Sequence, residues 1–305
     1  MASSSTSVSG TSAPFGRNVV AMVTPFTPAG DLDLAAAQRL ATYLVDAGCD
    51  GLVVSGTTGE SPTTSDAEKE KLLRAVLEAV GDRATVLAGT GTNDTRHAIE
   101  LSRQAEKAGA HGLLVVTPYY NKPPQAGLLA HFRAVADAVG VPIMLYDIPG
   151  RTGVPIATET LIRLAEHERI VAVKDAKNDI AAATEVLART DLAYYSGADE
   201  WNLALLAVGA VGIVSVVGHV AAREYAAMID AVDKGDLPTA RAIERKLIPA
   251  YQAIMTRTQG AIMAKAALEL LGVLPTRAVR PPLVPATEEQ VRQLRKDLQE
   301  VGLIS

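Results

Sequence analysis

The stretch "IVAVKDAKND", residues 170–179, places four apolar residues directly before Lys174. An uninterrupted run of valine, isoleucine and alanine is typical of a parallel β-strand that is covered on both faces. A lysine that ends such a strand is either a solvated charge or an amine held in a pocket of low dielectric constant. The residues around it have to distinguish the two.

Seven further runs of the same kind recur along the chain, with helical patterns such as "DAEKEKLLRAVLEAVG" between them. They are "NVVAMVTP", "DGLVVSG", "ATVLAGTG", "HGLLVVTP", "VPIMLYDIP", "LAYYSG" and "VGIVSVVG". Eight strand–helix units predict an α/β protein, a (β/α)8 TIM barrel, which typically needs about 250 residues. An open doubly wound sheet is the structural alternative, but "VTPFTPAGDLD" after the first run lacks its G-x-G-x-x-G loop.

The chain of 305 residues is longer than the barrel requires. We predict a disordered tail over residues 1–16, a barrel with the active site over 17–232 and a C-terminal helical domain over 233–305. The tail, "MASSSTSVSGTSAP", is rich in serine and has neither the positive start nor the apolar segment of a signal peptide.

Composition excludes several classes of protein. The net charge is −5 with no basic stretch, which argues against nucleic-acid binding. No apolar run approaches the roughly 20 residues of a membrane span. The single cysteine, Cys49, excludes an internal disulfide and fits a reducing compartment, so we expect a cytoplasmic protein. The five histidines lack the spacing of metal ligands, and we expect neither a metal nor a cofactor.

Polar residues follow the predicted strands at the end where TIM barrels carry their active sites. Lys174 ends the sixth run, and a buried lysine loses its proton more easily and can form a Schiff base. Tyr146 ends the neighbouring fifth run, where its phenol could relay protons. Thr57 and Thr58 lie between glycines and could cradle a carboxylate, and Arg151 could hold a second one. Each also has a structural alternative as a solvated charge, a turn or rim packing.

Two aromatic residues, Tyr119 and Tyr120, fall together in the loop after the fourth run, although the chain has only twelve Phe, Trp and Tyr residues. Lys177 lies in a polar segment and is interpreted as a solvated charge. No single one of these residues is specific to an active site, whereas the convergence of all of them on one rim of the barrel is.

The motifs at this rim resemble those of a known enzyme family. They are "GTTGES", "TPYYNKPP", "YDIPGRTG", "VAVKDA" and "SGAD". In order and spacing, from about Val19 to near the C-terminus, the chain is similar to the dihydrodipicolinate synthase/N-acetylneuraminate lyase family of pyruvate-dependent class I aldolases.

The resemblance implies a role for each residue. Lys174 would form the imine with pyruvate, and Tyr146 would be the acid/base, linked through Thr57 to Tyr120 of a neighbouring subunit. The remaining roles are pyruvate carboxylate binding by Thr58, lining of the pyruvate pocket by Gly197 and Ile213, binding of the second substrate's carboxylate by Arg151, and an interface contact by Tyr119. The resemblance also implies a homotetramer built as a dimer of dimers.

The implied reaction condenses pyruvate with L-aspartate 4-semialdehyde to 4-hydroxy-tetrahydrodipicolinate in lysine and diaminopimelate biosynthesis. A related lyase that acts on a sugar acid is the alternative, although the resemblance implies that sialic acid lyases lack an arginine at the place of Arg151 and that sugar-acid aldolases often lack the combination of "PYY" and this arginine. A catalytically silent barrel used as a ligand sensor is a third interpretation. A silent barrel would be expected to have lost the lysine, tyrosine or threonine residues of the site, and all of them are present in this chain.

This sequence departs from the family pattern at several places. Asp147 stands where many members have Asn, and "KDAK" replaces the commoner "KEAT". At the allosteric site of members that lysine inhibits, this chain has Asp66, Lys69 and His97. The loss of a carboxylate and the added cation predict weak or absent inhibition by lysine, which half-maximal inhibition at sub-millimolar lysine would contradict.

Overall fold

The structure, a computed structural model, describes residues 12–304. Eight parallel strands form a closed barrel in chain order, and β1 pairs with β8 to close it. The strands are β1 Asn18–Ala21, β2 Gly51–Val54, β3 Thr85–Gly89, β4 Gly112–Val116, β5 Ile143–Asp147, β6 Ile170–Asp175, β7 Ala193–Ser196 and β8 Gly212–Ser215. All eight lie within the apolar runs, so the predicted (β/α)8 barrel is confirmed.

Helices follow the strands and cover the barrel. They are α1 Leu34–Asp46, α2 Asp66–Val80, α3 Thr95–Ala108, α4 Gln125–Asp137, the short α5 Pro149–Thr152, α6 Thr158–Ala165, α7 Ile180–Arg189, α8 Asn202–Ala207 and α9 Gly218–Asp233. Side-chain caps fix several starts. At α2, for example, the Ser65 hydroxyl accepts from the Glu68 N–H while the Glu68 carboxylate accepts from the Ser65 N–H.

Two apolar layers explain why the strand sequences do not alternate. One layer lies inside the barrel and includes Val53, Leu87 and Tyr146. The other lies between strands and helices and includes Leu52 and Val54, the chain neighbours of Val53. Successive side chains of a strand point to opposite faces, and here both faces are dry.

The N-terminal end of the barrel is filled by Phe15, which is fully buried. Its N–H donates to the Tyr195 hydroxyl, and a Cβ atom at Gly112 would come within 2.4 Å of its ring. The chain therefore packs against the barrel before residue 17, where the sequence placed the end of a disordered tail. The burial of the Phe15 side chain holds this part of the chain on the barrel, although the residues before it in the sequence are polar. Residues 1–11 of that predicted tail lie outside the described residues.

Three helices follow the barrel: α10 Leu237–Tyr251, α11 Gly260–Leu270 and α12 Glu288–Glu300. They form the expected C-terminal appendage, and α10 and α11 pack on α9. The boundary at residues 232 and 233 stays a prediction. Within residues 12–304, no helix is both long enough and apolar enough to span a lipid bilayer.

Candidate active site

Lys174 is the centre of the site. It lies near the end of β6, is 3% exposed, and is paired in register with Tyr146 of β5. Its Nζ atom lies 4.2 Å from the centroid of the Tyr146 ring. Burial lowers the pKa of Lys174 to about 7, with Asp199 opposing the shift and the nearby Arg151 guanidinium adding to it. A sizeable fraction of the amine is therefore uncharged and nucleophilic at neutral pH.

Tyr146 has the opposite property. Burial raises the pKa of its phenol to about 12, although Arg151 and a hydrogen bond with the Thr57 side chain both lower it. The hydroxyl is thus protonated at neutral pH and can donate to an oxygen that gains negative charge beside Lys174.

The loop after β2 supplies Thr57 and Thr58. Two residues of this loop, Ser55 and Glu60, have left-handed backbones, with φ of 56° and 55°. Thr58 is buried, whereas Thr57 is half-buried and faces an open cavity. A Cβ atom at Gly59 would lie 3.1 Å from the Ser55 nitrogen, so this turn is closely packed on itself.

The cavity has a volume of about 300 Å³ and opens at the C-terminal end of the barrel. Its wall is formed by loops and strand ends from β2 to β5 and includes Thr57, Tyr119, Tyr120, Tyr146 and Arg151. Five of the residues predicted for the site thus meet around one space.

Tyr119 and Tyr120, at the rim of the barrel, differ in how far their own chain buries them. Tyr119 is half-buried, whereas Tyr120 is 89% exposed and has a left-handed backbone, with φ of 73°. Such a conformation is uncommon for an aromatic residue. Arg151 is exposed on the short helix α5, which ends at Thr152 and is capped by Gly153 with φ of 81°.

The model of the dihydrodipicolinate synthetase family matches residues 14–301. This chain belongs to that family. A 4-hydroxy-tetrahydrodipicolinate synthase of Kineococcus radiotolerans is 70% identical over 290 residues, which are 95% of this chain and 94% of the relative.

Solved structures of the family agree with this assignment. DHDPS from Cyanidioschyzon merolae with lysine bound has a TM-score of 0.92 and 42% identity, covering 95% of this chain and 99% of that one. The chloride-inhibited enzyme from Acinetobacter baumannii complexed with pyruvate has a TM-score of 0.91 and 35% identity, covering 95% and 100%.

The family resemblance implied a place for Gly197 in the pyruvate pocket, and the structure supplies a physical reason for glycine there. A Cβ atom at position 197 would lie 2.8 Å from Cγ and 2.9 Å from Cε of Lys174. Any side chain at this position would therefore displace the Lys174 side chain from its present position.

The side chain of Ile213, the other residue that the family resemblance assigned to the pocket, does not face the barrel interior. Its side chain lies in the layer between strands and helices, while Val214 lies in the interior cluster with Tyr146. Because strand side chains alternate between faces, a shift of one residue moves a side chain from the inside to the outside. A side-chain contribution from β8 would come from Val214.

The charge on Lys177 is not solvated, contrary to the sequence interpretation. Its side chain is only 12% exposed, and its Nζ lies 3.4 Å from Oδ2 of the buried Asp147. The backbone N–H of Lys177 also donates to Asp175 at 2.5 Å. The polar residues around Lys177 in sequence concealed this partner, which lies thirty residues earlier.

Asp199 is a functional candidate that sequence reasoning left without a role. It is buried, and its Oδ2 accepts from the N–H groups of Val216 and Val217 at 3.0 Å each. Its charge is the one that opposes the lowered pKa of Lys174. The "SGAD" motif marked the position, but only the fold brings it beside β8.

The residues at the place of the family's lysine site have polar partners within this chain. His97 Nε2 lies 2.9 Å from Asp66 Oδ2, and the Lys69 ammonium donates to the Thr64 carbonyl. Weak inhibition by lysine stays a prediction for this member of the family.

Proposed function

We propose that this protein catalyses the Schiff-base condensation of pyruvate with L-aspartate 4-semialdehyde to 4-hydroxy-tetrahydrodipicolinate, the first step of lysine and diaminopimelate biosynthesis. The observation that carries the proposal is the buried Lys174 amine over the Tyr146 ring at the mouth of the barrel. The names of the relatives favour this reaction over cleavage of a sugar acid.

The reaction begins at the neutral amine of Lys174. Nζ attacks the keto carbon of pyruvate, and water leaves to give a protonated imine. The imine is an electron sink, so the pyruvate methyl group loses a proton and becomes a nucleophilic enamine. The enamine carbon attacks the aldehyde, and the resulting alkoxide takes up a proton. The amino group of the second substrate then displaces Lys174 from the imine and closes the ring.

Tyr146 is the proton donor and acceptor in these steps. Its protonated phenol lies beside the amine, and its hydrogen bond with Thr57 fixes its direction. Acid–base groups of this kind act through geometry as much as through pKa, because the proton must move over a hydrogen-bond distance.

Two groups orient the substrates. Thr58 and the turn around it bind the pyruvate carboxylate, and Arg151, which lines the cavity, binds the carboxylate of the semialdehyde. Arginine suits this role because its planar guanidinium can hold a carboxylate through two hydrogen bonds.

The complete site includes a second copy of the chain. Tyr120 stands out from its own subunit, and in a dimer it reaches the hydroxyl chain of Thr57 and Tyr146 in the neighbouring subunit, with Tyr119 in the same interface. The protein then assembles as a homotetramer, a dimer of dimers. It acts in the cytoplasm, which suits the free thiol of the buried Cys49.

Borohydride trapping tests the proposal. Incubation with pyruvate and borohydride should add the mass of pyruvate less one oxygen atom to each chain, and proteolysis should place the adduct on Lys174. Lys174→Ala should give no adduct. Lys122→Ala is the matched control, because Lys122 is an exposed lysine in a loop at the same mouth, and it should label like the wild type. A wild-type protein that gains no mass would refute the proposal.

A further inference from the structure

A fully buried ion pair lies just behind the turn that carries Thr57 and Thr58. Glu60 follows that turn, and its carboxylate contacts the Nζ atom of Lys265, with both side chains at most 1% exposed. Its second oxygen accepts from the backbone N–H of Arg280 at 2.9 Å. Lys265 lies on α11 and Arg280 lies beyond it, so both partners of Glu60 come from the C-terminal appendage.

The pair is enclosed on its other sides. Lys265 Nζ also donates to the Ala278 carbonyl at 2.8 Å and lies 4.3 Å from the centroid of the Phe26 ring. The Arg280 guanidinium lies 4.3 Å from the same centroid, and its N–H groups donate to Gly30 and Thr63 carbonyls at 2.8 Å. The loops after β1 and β2 are thus joined to the appendage.

The turn itself is tied directly to Glu60. The Glu60 N–H donates to the Thr57 carbonyl at 3.1 Å, and the Ser61 N–H donates to the Gly56 carbonyl at 3.3 Å. On the barrel side, the Thr24 hydroxyl donates to the Gly59 carbonyl at 2.6 Å. Glu60 adopts a left-handed backbone that a glutamate does not favour, so its side-chain contacts have to hold it there.

We infer that Glu60 and Lys265 are positioning residues for the pyruvate carboxylate site, and that the C-terminal appendage thereby forms part of the catalytic unit. The inference rests on the proposed function, since it assigns the Thr57–Thr58 turn to pyruvate. The chain of contacts runs from α11 through Glu60 to the Thr57 carbonyl. The pair touches no substrate and acts only through the turn.

Charge pairing makes the inference testable. Removal of one member of a buried pair leaves the other charge without compensation, whereas replacement of both by neutral residues of similar size is tolerated far better. Lys265→Met and Glu60→Gln keep approximate size and shape. Each single variant should therefore disturb the turn, and the double variant should restore much of it.

The readout is the pyruvate concentration that half-saturates borohydride trapping of Lys174. We expect Lys265→Met and Glu60→Gln each to raise it by about 10- to 100-fold, the scale of a displaced binding group. The KM for the semialdehyde should change much less, because Arg151 lies on α5, which follows a different strand. The double variant should recover a large part of the lost pyruvate affinity.

Glu269→Gln is the matched control. It breaks the Glu269–Arg277 ion pair of the same appendage, which does not touch the Thr57–Thr58 turn. It should lower thermal stability and leave pyruvate saturation unchanged.

Three results would overturn the inference. One is an unchanged pyruvate saturation in Lys265→Met and Glu60→Gln. Another is a double variant that is no better than the single ones. The third is loss of folding in both single variants, because the pair would then hold the fold rather than the turn. None of these results touches the proposed function, which depends on the wild-type adduct alone.

Discussion

Lys174 is reactive at neutral pH because its surroundings work against the charged form of its amine. The barrel wall removes water from the ammonium, and the positive charge of Arg151 adds to that effect. Asp199 limits the shift, so the amine keeps enough basicity to attack a carbonyl. A residue with the same side chain on the surface would be protonated almost entirely at pH 7.

A pH dependence of imine formation follows. The reactive form is the deprotonated one, and the pKa of Lys174 is about 7, so the rate of borohydride trapping should rise from pH 6 and level off above about pH 8. The measurement is a single-turnover trapping rate at fixed pyruvate concentration. A rate that keeps rising tenfold per pH unit to pH 10 would mean an amine with an ordinary pKa.

Gly197 leaves room for the side chain of Lys174 because it has no side chain of its own. Gly197→Ala should reduce kcat by at least about tenfold while the protein stays folded, since the new methyl group would displace the lysine stem by a fraction of an ångström or more. Steady-state kinetics and a melting curve separate the two effects. Gly150→Ala is the matched control, because a Cβ atom there meets no atom within 4 Å, and it should retain near wild-type activity.

At the scale of elements, β5 and β6 carry Tyr146 and Lys174, the proposed catalytic pair, on their inner faces and a second set of charges on their outer faces. Asp147 and Asp175 follow Tyr146 and Lys174 directly and are paired in register. The Tyr194 hydroxyl donates to Asp175, while Lys177 approaches Asp147. These buried contacts fix the two strand ends from behind.

Asp147 should make stability depend on pH. Burial raises the pKa of Asp147 to about 6 from 3.8, although Lys177 and the Ile156 N–H oppose the shift. The neutral form is therefore favoured in the folded state, and stability falls as pH rises from about 4 through 6. The loss amounts to about 3 kcal/mol for two pKa units.

Asp147→Asn, which cannot ionise, should raise the free energy of unfolding by about 1–3 kcal/mol at pH 8 and by less at pH 5. Urea denaturation at the two pH values measures this. A variant that is less stable at pH 8 would show that the Asp147–Lys177 attraction exceeds the cost of burial.

The short helix α5 carries Arg151, an exposed residue at the cavity wall that is proposed to hold the carboxylate of the semialdehyde. Arg151→Ala should therefore raise the KM for the semialdehyde by about 10- to 100-fold, the value of a charge-assisted hydrogen bond, with a much smaller change for pyruvate. Initial rates with each substrate varied in turn provide the test. Equal damage to both substrates would refute the assignment.

The eight strands could be predicted because each is buried on both faces and therefore has a continuous apolar sequence. The convergence of Lys174, Tyr146 and Thr57 followed from the rule that strand ends of a barrel share one rim.

The sequence pattern could not show which of Ile213 and Val214 points into the barrel, since both residues are apolar and both faces of β8 are buried. The Glu60–Lys265 pair is 205 residues apart in sequence, so only the packed chain shows it.

At the scale of the whole molecule, the exposed Tyr120 predicts that chains share their active sites. Lys174→Ala and Tyr120→Ala should each be nearly inactive alone. Coexpressed in equal amounts, they should regain up to about a quarter of wild-type activity, because half of the dimers are mixed and each mixed dimer has one intact site.

The measurement is specific activity of the purified mixture, with Lys174→Ala and Tyr146→Ala as the control pair. Both of those residues act in their own subunit, so that mixture should stay inactive. No recovery with Tyr120→Ala would place Tyr120 in the site of its own chain.

Because β1 pairs with β8, the barrel of this enzyme cannot close during translation until β8 has been synthesised. The first strand waits for a partner that ends at Ser215, and ribosomes add about 5–20 residues per second, so roughly 10–40 s pass before the sheet can close. Until then an unpaired strand edge stays accessible on the nascent chain. Slow synthesis or a scarcity of chaperones should therefore reduce the yield of soluble enzyme.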